Sequence, residues 1–245
     1  MTIQKVNGWW MSTDTLMGST DTSNIGSHMI ENARKIYNYF TGKGWSLSAI
    51  AGILGNAQVE STFSPAFVES TNRWRLPNSA ASLSDVPNSV MINFYPEYYS
   101  SSSDEFGIGI VQWKGYSPSA PTPGQKLVNF ANRYNLNWYD GDTQTFRIFR
   151  EYETNIQWQA ATINGIEWHW SNYVTNTQTP EVSARIWQVC YEVSDPGTLI
   201  RRQANARYWY DYFTAHPHEE VQPWLLLMSN NANKKKVVKN VQYRN

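Results

Sequence analysis

The sequence predicts a mainly α (α+β) protein, a helical bundle with a small β-sheet and loop lobe forming a cleft. Several segments repeat apolar residues at helical spacing. Phe106–Trp113 reads as a short glycine-relieved strand, and the irregular residues 64–104 before it form a long connection of the kind that is usually functional.

Residues 1–26, rich in Ser, Thr, Asn and Gly, read as an extended leader. A first helix is predicted over Ser27–Phe40, with Met29, Ala33, Ile36, Tyr37 and Phe40 on its apolar face. Thr41-Gly42-Lys43-Gly44 ends it, glycine serving as a left-handed cap. Ser46 is the expected N-cap of a second helix, since its hydroxyl can accept from a first-turn N–H. Leu47, Ile50, Ala51, Leu54 and Ala57 form the core stripe of that helix, which runs to Glu60. Residues 64–104, with scattered prolines and the run Ser100–Ser103, are expected to form one lip of the cleft with short strands. After a proline-rich loop, Ser117–Gly124, a helix is predicted over Gln125–Tyr134. Another starts at Asp142 as N-cap and carries Phe146, Ile148, Phe149 and Tyr152. Pro180 opens a helix through Ala184, Ile186, Trp187 and Cys190, broken by Asp195-Pro196-Gly197. The last long helix, Thr198–Phe213, bears Ile200, Ala204, Tyr208 and Tyr212. The organisation is thus a leader (1–26), a main domain (27–215) and a C-terminal extension (216–245) with an apolar patch, Trp224–Met228, and a basic run, Lys234–Lys236.

Composition narrows the function classes. Lys+Arg 20 against Asp+Glu 20 leaves no net charge, so bulk electrostatics points to no nucleic-acid partner. Only 16% of residues are charged, whereas 12 Trp and 15 Tyr bring aromatics to 15%; such rings stack on the C–H faces of sugars, although most are expected to fill the core. The single Cys190 allows no internal disulfide and reads as a buried small residue. No apolar run approaches the roughly 18 residues of a membrane span. The first ten residues lack the features of a secretion signal, so synthesis in a cytoplasm is expected, with another route to any site outside it. His216-Pro217-His218 has the spacing of one zinc-ligand pair, but neither His28 nor His169 supplies the rest of a three-ligand set. Gly107 and Gly109 lack the helix and lysine of a phosphate loop. No cofactor and no metal are expected.

Glu60 carries the chemistry. It falls at the border of its helix's apolar stripe and in the last turn, at the negative end of the helix dipole. Partial burial and that dipole both disfavour the anion, so the side chain is expected to hold its proton near neutrality. A general acid acting on a glycosidic oxygen has that requirement.

Glu60-Ser61 followed by Gly107-Ile108-Gly109-Ile110-Val111-Gln112 resembles the signature of goose-type lysozymes and soluble lytic transglycosylases. There a Glu-Ser ends a helix, and a later Gly-x-Gly-Leu-Met-Gln forms the strand under the saccharide. The fuller resemblance is to bacteriophage tail lysozymes, virion-associated muramidase domains that open peptidoglycan locally during infection. It rests on Ala49–Asn56 leading to Val59-Glu60-Ser61-Thr62, on Gly107–Trp113, and on Tyr191-Glu192 with Arg201-Arg202, Ala206 and Tyr208-Trp209-Tyr210. These blocks cover most of residues 27–215.

The resemblance implies a lysozyme-like fold, peptidoglycan glycan strands as substrate, and cleavage of the β-1,4 bond between N-acetylmuramic acid and N-acetylglucosamine. It also implies a place in a phage tail, with other tail proteins as partners and action at the host wall. Glu60 takes the part of general acid, and Asp104 is nearest to the acid that goose-type enzymes place before their Gly-x-Gly. Ser61, Gly107, Gly109, Gln112, Trp113 and Tyr191 line the saccharide site by the same resemblance. Trp113 can stack on a sugar or pack in the core, and Tyr191-Glu192 can touch substrate or buttress the cleft. Glu105, Asp85, Glu97 and Glu69 are further acids. Lys114 stands where goose-type enzymes carry an acid after the glutamine, which weighs against two-carboxylate water activation. A lytic transglycosylase and a non-catalytic glycan-binding tail component are the alternatives.

Overall fold

The computed structural model describes residues 3–69, 83, 86–89, 91, 107–114, 123–151, 157–194 and 196–217. Most of the expected lip over residues 64–104 lies outside them, with Asp85, Glu97 and Asp104, and so does Glu105. The described elements are mainly helical, with three two-stranded antiparallel sheets, in keeping with a lysozyme-like fold.

The segment expected to be an extended leader is folded. β1 (Gln4–Val6) and β2 (Trp9–Met11) form a hairpin around Asn7-Gly8, and Trp9 and Met11 are buried. α1 (Ser27–Thr41) follows the expected span, with Met29, Ala33, Ile36 and Phe40 buried. The left-handed residue after it is Gly44, whereas Gly42 stays right-handed.

α2 (Leu47–Ser61) begins at Ser46, whose Oγ accepts from the Ala49 N–H at 3.1 Å. Its surroundings differ from the expected single stripe. Every residue from Ser48 to Gln58 is buried, so α2 is a central helix covered on all sides. Leu47, placed on the stripe by periodicity, is only half-buried. Polar side chains on α2 are satisfied within the core: Asn56 Nδ2 donates to Ala184 O at 3.1 Å, and Trp209 Nε1 donates to Gln58 Oε1 at 2.8 Å.

Over its described residues, from Gly107 on, the segment expected to be one strand is instead a tight hairpin. β3 (Gly107–Ile108) pairs with β4 (Trp113–Lys114), and residues 109–112 make the turn. Val68 bridges Ile108, extending the pairing by one residue. α3 (Pro123–Arg133) and α4 (Gly141–Phe149) follow; α4 is capped by Asp140, whose side chain accepts from the Asp142 N–H, and not by Asp142 itself. A second Asn-Gly hairpin, β5 (Ala161–Ile163) and β6 (Ile166–Trp168), and the short α5 (Trp170–Tyr173) were not expected.

α6 (Pro180–Trp187) is capped by Thr179 and packs on α2. It widens into a π-helical turn, Gln188–Glu192, that ends at Val193 in the left-handed region, φ 49°. A 3₁₀ turn (Pro196–Thr198) leads into α7 (Leu199–Ala215). The buried face of α7 carries Arg202, Ala206 and Trp209, and Ile200 is 83% exposed. Trp158, Trp170, Tyr173, Trp187 and Tyr191 form one aromatic cluster, so much of the aromatic excess is core.

Two compact units divide the chain, Met1–Asp211 and Tyr212–Asn245. In the second, the Tyr212 ring stacks on His216 at 4.6 Å. Among the described residues no helix is long and apolar enough to cross a membrane, and no three His, Cys, Asp or Glu side chains cluster as metal ligands.

Candidate active site

The site is built from the end of α2 outward. α2 stops abruptly after Glu60-Ser61, because Thr62 and Phe63 both take left-handed conformations, φ 49° and 68°. That conformation is costly for a β-branched residue and persists only where surroundings enforce it. Thr62 Oγ1 accepts from the Met17 N–H at 2.8 Å, and both side chains are fully buried. Ser61 is also buried, and its Oγ donates to Ile110 O at 2.7 Å. One serine hydroxyl therefore ties the Glu60 end of the helix to the Gly-Ile-Gly-Ile turn.

That turn is held from both sides. Gly109 sits at φ 80°, and a Cβ there would lie 2.7 Å from Gln144 Oε1. Gln144, fully buried, accepts from the Ile110 N–H at 2.8 Å and donates to Pro65 O and Trp138 O, each at 2.7 Å. Gln112 Nε2 donates to Gly109 O at 2.8 Å and to Phe67 O at 3.2 Å. A Cβ on Gly107 would meet Gln112 Oε1 at 2.6 Å, so that glycine makes room for the glutamine. Glu69 closes the other edge: its Oε2 accepts from the Gly107 N–H at 2.9 Å.

A cavity of about 510 Å³ opens between these elements. Glu60, Gln112, Gln157, Glu192, Ser194 and Arg202 are among the residues that line it, with Tyr191. Glu60 is 18% exposed and forms an ion pair with Arg202, which is 3% exposed. Arg202 Nη1 also donates to Asn56 Oδ1 at 2.8 Å, and Nε to Thr198 Oγ1 at 2.8 Å. The carboxylate is thus held by a guanidinium that is itself held on two further sides.

The other expected residues divide. Trp113 and Tyr191 are fully buried, and Trp113 Nε1 donates to the Tyr191 hydroxyl at 3.2 Å. The Tyr191 ring stacks on Trp187 at 4.2 Å, and burial pushes its hydroxyl well above the ordinary tyrosine range. This pair is a wall behind the cavity. Asp104 lies outside the described residues. Cys190 is buried, and burial raises its thiol from 9.0 to about 11, which keeps it protonated and poorly nucleophilic.

Sequence reasoning did not identify Arg202 as the partner of Glu60, nor Gln144 as the support of the hairpin. The signal for Arg202 was present: it falls four residues before Ala206 and seven before Trp209, on one helical stripe. An arginine on a buried stripe must find a counter-charge.

The model of the phage tail lysozyme family matches residues 31–213. The chain is also 27% identical over 194 residues to Morphogenesis protein 1 of Bacillus phage B103. The match takes in 79% of this chain and 42% of that protein, so the chain spans well under half of its relative's length. The chain belongs to the phage tail lysozyme family.

Proposed function

From that membership and the cavity at the end of α2, we propose that the protein is a virion-associated peptidoglycan hydrolase. It cleaves the β-1,4 bond between N-acetylmuramic acid and N-acetylglucosamine, with Glu60 as general acid. The observation that carries this reading is the placement of Glu60: a helix-end carboxyl on a 510 Å³ cavity shared with Gln112, fixed by buried Arg202. Glu60 gives its proton to the glycosidic oxygen as positive charge develops on the neighbouring sugar ring. Arg202 holds the carboxyl in one orientation and balances the charge left on it after proton transfer. Gln112, the hairpin residue on the cavity wall, faces the glycan, and Ser61 keeps that hairpin in register with Glu60. The role is local opening of the host wall during infection, alongside other virion proteins.

The test is digestion of purified peptidoglycan with mass spectrometry of the released fragments. Reducing N-acetylmuramic acid ends support the muramidase. Ends in the 1,6-anhydro form would make it a lytic transglycosylase, in which the sugar's own 6-hydroxyl replaces water. Wall binding with no released fragment would leave a non-catalytic tail component.

A further inference from the structure

We propose that Glu192 is the second carboxylate of this site and activates the attacking water. The inference rests on the muramidase reading and adds the group that reading lacks. Lys114 occupies the place where an acid would follow the strand glutamine. Of the acids considered from sequence, Glu69 is the one within the described residues, and it is engaged with the Gly107 N–H. Among the described residues the acids on the cavity wall are Glu60 and Glu192.

Three features present Glu192 to that cavity. The helix carrying it changes from α to π over Gln188–Glu192, and such widened turns concentrate at functional sites because they re-aim side chains. Val193 directly after it is left-handed at φ 49°, a conformation that a β-branched residue adopts only when neighbours force it. The Glu192 carboxylate is anchored: Trp187 Nε1, in a fully buried ring, donates to Oε1 at 2.8 Å. A charged group held by a rigid indole on the wall of the acid's own cavity is preorganised for chemistry.

The Glu60 proton passes to the leaving glycosidic oxygen while the bond from the anomeric carbon to that oxygen breaks. The oxygen of a water forms the new bond to the anomeric carbon, and its proton goes to Glu192. Solvent exchange returns both carboxyls to their starting states.

Glu192→Gln retains an oxygen that can accept from Trp187, so the fold is preserved while the base is lost. With a soluble glycan fragment as substrate, kcat should fall about 10²-fold or more with KM little changed. In Glu192→Gly, added azide should restore turnover by bonding to the anomeric carbon in place of water, giving a glycosyl azide detectable by mass spectrometry. Glu192→Gln with near-wild-type kcat, or Glu192→Gly that azide fails to rescue, would overturn the proposal. A loss confined to Asp104→Asn would overturn it in favour of that acid. A wild-type protein that releases no reducing ends fails at the muramidase reading itself, a result distinct from any of these.

Discussion

Arg202 bridges two residues one turn apart on the central helix, donating from one guanidinium nitrogen to Asn56 Oδ1 at 2.8 Å and from the other to Glu60 Oε1. Since Asn56 is itself tied to Ala184 O, the position of Glu60 depends on helices far apart in sequence.

Replacing Arg202 should therefore harm both activity and stability. Arg202→Met leaves Glu60 without its partner, and misplacement of a reacting group by about 1 Å can cost 10²-fold in rate. Loss of one member of a largely buried ion pair should also cost about 3 kcal/mol in denaturant unfolding. Arg202→Lys keeps the charge but not the planar fork, and should recover only part of either. Wild-type turnover in Arg202→Met would show that the pairing is incidental.

Gly109→Ala should destabilise the protein by about 1–3 kcal/mol, because the new methyl meets the Gln144 amide and alanine is strained at φ 80°. The loss is read as a lower urea midpoint. An unchanged midpoint would mean that the turn adapts freely.

Cys190 should be inert to a thiol reagent at pH 8 in the native state and react once the protein is unfolded. Burial lifts its thiol to about 11 from 9.0, so the native state holds the proton longer than the unfolded chain. This group therefore leaves stability unaffected below about pH 9 and lowers it as pH rises towards 11. Cys190→Ala should flatten that part of the decline in melting temperature. Rapid labelling of native protein would contradict the burial.

The sequence disclosed Glu60, its helix and the Ser46 cap, because a capping serine and a long apolar run are local signals. It did not disclose that α2 is covered on every side, since periodicity cannot separate a central helix from a half-exposed one when small residues fill its other faces. Both Asn-Gly hairpins, at Asn7-Gly8 and Asn164-Gly165, carry a turn signal in the sequence. Their strands are three residues long, too short for alternation to register. Arg202 was obscured because its partner Glu60 lies 142 residues away in the chain. The π turn that presents Glu192 leaves no periodic mark at all.

The most direct measurement is the rate of fragment release from purified peptidoglycan by Glu60→Gln against wild type, with folding matched by thermal melting. The amide cannot donate a proton as a carboxylic acid does, so release should fall by about 10²–10⁴-fold while wall binding persists. Release by Glu60→Gln at the wild-type rate would remove Glu60 from the chemistry and contradict the account.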